Sequence, residues 1–262
     1  MKLTYDISAL IPYINWPYYY FAWQVKEPSE KERLRSEAEA FLSQQEGCYH
    51  AYALFELYDA NADGDDIVVG TKRIPLLRQQ EGSAPYLCLA DFLRPLTSGI
   101  SDRVGVFATS VDIGMETDFE ADPYQKMMAQ LLADRLAEAA AERTHEQVRK
   151  EYWGYAKDED LSIQDMLVEK FQGIRPAIGY PSLPDTSLNF VLNELLDMKQ
   201  IGIRLTESGA MKPHASVSGL MFAHPQARYF NLGKIGEDQL RDYARRRGLP
   251  IEVLRKFLAA NL

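Results

Sequence analysis

Behind Pro28, the residues Leu34, Ala38, Phe41 and Leu42 fall three or four apart in SEKERLRSEAEAFLSQQ, the spacing that gathers apolar side chains on one face of a helix. Ser29 is the expected N-cap and the helix should end near Gly47. From Tyr49 to about Leu77 the pattern turns to alternation. AYALFELY and IVVGTKRIPLL flank the polar run DANADGDD, which predicts a hairpin. VGVFAT at 104–109 predicts a strand, and the aromatic run YINWPYYYFAW at 13–23 reads as a strand or turn entering the core. The longest predicted element is a helix from 121 to about 152, capped by Asp122, with Pro123 at its first position and no further Gly or Pro until Gly154. Met127, Met128, Leu131, Leu132 and Leu136 form its apolar stripe, and Ala137, Ala139, Ala140 and Ala141 let another backbone come close. Glu138, a heptad beyond Leu131, shares that inward face. A carboxylate there needs a partner; a rim Arg is the plain one.

The segment GIRPAIGYPSLPD at 173–185 precedes a predicted helix, TSLNFVLNELLDMK. Pro176, Pro181 and Pro184 stiffen it, while Gly173 and Gly179 permit close backbone approach. Such a loop serves either as a structural crossover or as a holder for a small ligand at little ordering cost. Strands are predicted near 203–205, in SVSGLMFA and in RYFNLGKI, followed by two short C-terminal helices. The first, EDQLRDYARRR, ends in Arg245, Arg246 and Arg247. These complement the helix dipole, or alternatively form a docking patch for an acidic partner. With no internal repeat or flexible linker, residues 1–262 are expected to form one domain.

Composition narrows the function classes. Twenty-nine Lys and Arg against 38 Asp and Glu leave a net charge of −9, which argues against nucleic acid and anionic membranes as partners. Fifteen Tyr outnumber 11 Phe, so polar groups are expected in the interior or in a pocket. Cys48 and Cys88 are too few for a disulfide framework, and His50, His145, His214 and His224 show no metal-ligand spacing. DANADG at 59–64 matches the opening of a calcium loop through Asp59, Asn61, Asp63 and Gly64, but Asp66 and Gly70 stand where a branched apolar residue and the bidentate Glu are required. No run approaches the length of about 18 apolar residues that spans a bilayer, and MKLTYDISAL is unlike a signal peptide. A cytoplasmic location is expected.

GIRPAIGYPSLPD, RLTESGAMKPHASVSGLMFAHPQARYF and ADRLAEAAAERTHEQVRKEYWGYA, together with YINW at 13–16, LADFLRP at 89–95 and the terminal LAANL, resemble the C-terminal activation domain of cobalamin-dependent methionine synthase. The similarity runs in order over most of the chain, and the string from Arg175 to Pro181 is its most specific part. The resemblance implies an α+β fold, a curved antiparallel sheet with flanking helices in a single C-shaped domain. It also implies S-adenosylmethionine as the bound ligand. The activity implied belongs to methionine biosynthesis: cob(II)alamin on a partner chain is remethylated to methylcobalamin, with a methyl group from S-adenosylmethionine and an electron from a flavodoxin-type donor. An acidic donor of that type needs a local basic surface, and Arg245–Arg247 is the one obvious candidate in the chain.

By the same resemblance Asn15, Glu138, Arg175, Pro176, Ala177, Gly179, Tyr180, Tyr229 and Phe230 are expected at the ligand. Arg175 would clamp the carboxylate, Glu138 would face the cationic side, Ala177, Gly179 and Tyr180 would lie against the adenine, and Tyr180 would stand between the two reactants. Two positions depart from the family: Asn15 replaces the Asp that holds the ammonium, and Thr186 stands where His is frequent. Neither an Asp-x-His-x-x-Gly corrinoid string nor a Gly-x-Gly loop occurs, and the length excludes homocysteine and folate barrels. The chain is therefore expected to act in trans, as a component of methionine synthase and not as a complete enzyme. Two alternatives stand beside this reading: a non-catalytic ligand-binding or docking module whose pocket Asn15 has weakened, and a reactivator of another corrinoid methyltransferase.

Overall fold

A computed structural model describes all 262 residues. Its centre is a six-stranded antiparallel sheet in which β2 (His50–Asp63) pairs along one side with β5 (Asp102–Val111), and β5 with β8 (Ser216–Met221). The other side of β2 is shared by β1 (Lys2–Asp6) at its start and β3 (Asp66–Val69) at its end, with β4 (Lys72–Pro75) beyond β3. A small hairpin, β6 (Arg204–Leu205) with β7 (Met211–Lys212), stands apart. β5 is buried from Val104 to Val111 because both faces of the sheet are covered. Phe107 packs into one core, and Val104, Val106 and Ala108 into the other.

Helices α1 (Ile7–Leu10), α2 (Trp16–Ala22), α3 (Pro28–Gln44), α4 (Gly114–Thr117) and α5 (Pro123–Gln147) gather on the first face. On the second face, α7 (Leu188–Leu196) packs after the short α6 (Ile163–Leu167), and α8 (Glu237–Arg247) with α9 (Ile251–Phe257) closes a third, smaller core around Leu240, Tyr243 and Leu254. The expected curled antiparallel sheet with flanking helices is thus the observed architecture. No helix is long and apolar enough to cross a membrane.

Several local readings change. The aromatic run is helical, a 3-10 turn at Ile11–Tyr13 followed by α2, because Pro12 and Pro17 each sit in a first helical turn where a missing N–H costs nothing. Helical spacing then stacks Trp16 edge-on against Tyr19, with ring centres 5.7 Å apart, and Tyr19 against Trp23 at 6.3 Å. In α3 the N-cap position is Glu27 and not Ser29, since Pro28 takes the first helical position. The expected hairpin is a three-stranded meander: β2 runs through DANAD and turns only at Gly64. The residues that resembled a calcium loop bond elsewhere. Asp59 faces Arg103 at 3.4 Å, Asn61 donates to the Arg94 and Ile100 carbonyls, and Asp63 pairs with Arg73.

Asp122 caps α5 as expected, accepting from the Tyr124 and Gln125 amides. The last predicted turn, Val148–Tyr152, is a π-helix. Met127 is exposed, so the buried stripe is Met128, Leu132 and Leu136 with the alanines. RYFNLGKI forms no strand, because Ile174–Ile178 already occupies the outer edge of β8: Ile174 and Phe222 exchange both backbone bonds and the Ile178 amide donates to the Ser218 carbonyl at 2.8 Å. The arginine cluster at the end of α8 is mostly interior. Arg246 reaches Asp66 at 2.5 Å and the Leu76 carbonyl, and Arg247 bonds Ser187, leaving Arg245 as the exposed member. The docking-patch alternative accordingly loses two of its three charges.

Candidate functional site

Segments far apart in the sequence wall a cavity of about 680 Å³. The turn before α2 supplies Tyr13 and Asn15, and α2 itself Tyr18; α5 supplies Arg135, Glu138 and Glu142; the end of α6 and the residues after it supply Leu167 and Glu169; the proline-rich loop supplies Arg175, Pro176, Ala177 and Tyr180; β8 supplies Val217, and the stretch after it Tyr229 and Phe230. The loop reaches its place because β8 carries Gly219. A side chain there would meet the Pro176 carbonyl oxygen at 2.2 Å. Eight of the nine residues expected at the ligand line this one cavity. Gly179 does not; it adopts φ +88° and its amide bonds the Leu183 carbonyl, so it shapes the turn that presents Tyr180. Thr186 lies behind the loop, its methyl group beside Gly179. Tyr229 and Phe230 come from irregular chain, not from a strand.

Glu138 finds a partner in the Tyr180 hydroxyl, which donates to Oε1 at 2.6 Å, instead of the plain rim Arg. Burial and then the Glu138 charge raise the Tyr180 pKa above the ordinary phenol value, so the hydroxyl stays protonated and remains a donor. The Asn15 side chain caps nothing at the start of α2.

Arg175 is almost enclosed, with its side chain 13% exposed. Its Nη2 donates to Glu142 Oε2 at 2.8 Å, its Nη1 to His145 Nδ1 at 3.1 Å, and its backbone amide to the Tyr229 hydroxyl at 2.9 Å. Burial opposes the guanidinium charge, but Glu142, Tyr229 and Glu138 together outweigh it and Arg175 titrates above the ordinary Arg value. A guanidinium has five N–H donors, so Arg175 retains donors for a ligand after these two side-chain bonds.

Three acidic groups line the cavity, Glu138, Glu142 and Glu169, against two cationic ones, Arg175 and Arg135. Burial raises the Glu169 pKa while Arg175 lowers it, and its backbone is held at φ +60°, a conformation that non-glycine residues rarely adopt away from functional or tightly determined positions. Glu142, Arg135 and Glu169 were not among the expected residues. A signal for Glu142 was present: Asp134, Glu138, Glu142, His145 and Arg149 recur three or four apart along α5 and the π-helical turn after it, a polar line on a helix whose other inward positions are mostly apolar.

No cluster of three or more His, Cys, Asp or Glu is arranged to hold a metal ion. What the cavity offers is an anion-binding guanidinium, carboxylates for a cation, and aromatic walls.

Comparison with known proteins gives the same answer along the whole chain. The family described as vitamin B12 dependent methionine synthase, activation domain, matches residues 6–248. A solved structure described as the MetH reactivation domain bound to AdoHcy is similar with a TM-score of 0.95 and 38% identity, covering 100% of this chain and 90% of that one. With the family match over most of the chain and the same curled sheet in the similar structure, the chain belongs to the family of activation domains of vitamin B12-dependent methionine synthase.

Proposed function

We propose that this chain binds S-adenosylmethionine in the cavity beside α5 and supports the reductive remethylation of cob(II)alamin to methylcobalamin on a methionine synthase partner. The observation that carries the reading is a buried, preset Arg175 in a cavity with one more carboxylate than guanidinium. S-adenosylmethionine has one carboxylate, one ammonium and one sulfonium, hence one excess positive charge, and is the complement of that wall. The AdoHcy held by the similar reactivation domain differs from it by the methyl group.

In this reading Arg175 donates to the ligand carboxylate, Glu138 and Glu142 offset the cationic groups, and Tyr229 and Phe230 flank the nucleoside. Tyr180, half exposed at 51%, stands at the mouth and positions the methyl group toward the partner. The chain supplies no acid, base or nucleophile; its contribution is orientation. The balance of the reaction is one electron and one methyl cation delivered to cobalt, leaving S-adenosylhomocysteine. The electron comes from a flavodoxin-type donor and the cobalamin is carried by the partner in trans. A cytoplasmic site of action is part of the same proposal.

Calorimetric titration with S-adenosylmethionine tests the pocket. Saturable binding is expected for the wild type, with a loss of tenfold or more in Arg175→Ala, since a charge-assisted bond is worth about 1.5–3 kcal/mol. A wild type that binds no S-adenosylmethionine overturns the proposal. Asn15, which removes a charge from the ligand wall, favours one second reading, a module that binds the ligand without supporting transfer. Methyl transfer to cobalt with a corrinoid partner separates the two, and the identity of the partner that accepts it separates methionine synthase from another corrinoid methyltransferase.

A further inference from the structure

Behind the cavity, Arg175 is tied into a closed chain of hydrogen bonds. Its Nη1 donates to His145 Nδ1 at 3.1 Å; His145 Nε2 lies 3.4 Å from the Tyr155 hydroxyl; that hydroxyl donates to the Gln172 carbonyl at 3.3 Å. Gln172 immediately precedes the loop that carries Arg175, so the chain of bonds returns close to its own origin. Arginine can only donate, which requires Nδ1 to be the bare nitrogen and puts the ring proton on Nε2. Every donor then has an acceptor. The ring is fully buried and fixed from the side by Phe171, edge-on with centres 5.0 Å apart. Phe171 is in turn covered by Arg149, 4.2 Å from its centre, which forms a two-bond pair with Glu159.

We infer that His145 is a positioning residue that presets the Arg175 guanidinium for its ligand, and that it does so only as the neutral Nε2–H tautomer. This rests on Arg175 being the ligand's anchor, as proposed above. Without His145, only Glu142 holds the guanidinium through a side chain, and a fork fixed at one point can rotate. With both, the remaining N–H groups face a constant direction and the ligand does not bear the cost of ordering them. The groups around the ring favour neutrality: burial, then the charges of Arg175 and Arg149, push His145 well below the ordinary imidazole value, while the carboxylates of the cluster face the arginines, Glu142 through Oε2 on Arg175 and Glu159 on Arg149. Tyr155 is protonated, its pKa raised by burial.

The tautomer is read first, on the unaltered ligand-free protein, by long-range ¹⁵N–¹H NMR of the histidine rings. A His145 proton on Nε2 alone at neutral pH is expected; a proton on Nδ1 overturns the inference, and this reading decides the matter should a variant fail to fold. The second measurement compares His145→Asn, which keeps an acceptor near the position of Nδ1, with the similarly sized His145→Leu, which has none. S-adenosylmethionine affinity is expected to fall about tenfold in the Leu variant and by less than about threefold in the Asn variant. Equal losses, or none, mean a structural role and overturn it. The Arg175 Nε–H resonance, sharp in wild type and Asn variant but broadened in the Leu variant, reports the same restraint without ligand. If the wild type binds no S-adenosylmethionine while that pattern holds, the proposed ligand falls and the role of His145 in holding Arg175 stands. If the resonance is alike in both variants, the inference falls whatever the ligand.

Discussion

Arg175 reaches the cavity already bonded on two sides, and its neighbours share its work more widely than residue types alone suggest. At position 15 the neutral amide leaves the ammonium of the proposed ligand without a charged partner from α2. Asn15→Asp is expected to tighten S-adenosylmethionine binding by several-fold to tens of fold, the difference between neutral and charge-assisted bonds, as read by calorimetry. Unchanged affinity would show that the acids of α5 already satisfy that group. At the mouth, Tyr180→Phe removes the hydroxyl that Glu138 accepts. Binding is expected to persist, with a slower methyl transfer to a corrinoid partner; a normal rate would take the hydroxyl out of the mechanism. Residue types and motif order were enough to place Asn15, Glu138, Arg175, Tyr180, Tyr229 and Phe230 at one cavity. They were not enough for the Glu142–Arg175–His145 contacts, because partners 30 or more positions apart in the chain are chosen by the packing of the loop on α5. Along α5 itself the polar line at helical spacing was legible, but its significance depends on which neighbour covers it.

Among elements, the proline-rich loop and β8 depend on each other. The loop behaves as an edge strand, Ile174 and Ile178 pairing with β8, and it lies close only because Gly219 has no side chain. Gly219→Ala is expected to displace the loop at a cost of roughly 1–3 kcal/mol, the usual range for overpacking a filled site, and to weaken S-adenosylmethionine binding through Arg175. A lower thermal midpoint together with reduced affinity is the expected pair of results; wild-type affinity would show that the loop holds its place without that contact. The same occupancy explains why RYFNLGKI, apolar and aromatic enough for a strand, is irregular: the sheet edge it would need is taken. α2 illustrates the converse. Its aromatic composition suggested β structure, yet Pro12 and Pro17 start helical turns that bury Trp16 and Tyr19 and turn Tyr18 toward the cavity.

Over the whole molecule, the sheet separates two large cores, and the C-terminal helices are bound to it by charge as well as by their own small core. Asp66, buried to 4% exposure, accepts from Arg246 of α8 and from Arg73 of β4. Arg246→Met is expected to lower the stability to urea unfolding by about 1–3 kcal/mol, because it leaves a buried carboxylate with one cationic partner and the Leu76 carbonyl with none. An unchanged midpoint would mean that water replaces those bonds. By itself the sequence determined the helix periodicities of α3 and α5, the strands β2, β5 and β8, the family, and most of the expected residues that line the cavity, since periodic burial and short motifs are properties of neighbours along the chain. Only the tertiary structure decided which edge of β8 was filled, that two of the three arginines ending α8 turn inward, and that His145, 30 residues away in the chain, stands behind Arg175. Those outcomes depend on segments far apart in sequence competing for the same hydrogen-bonding edges and the same buried charges.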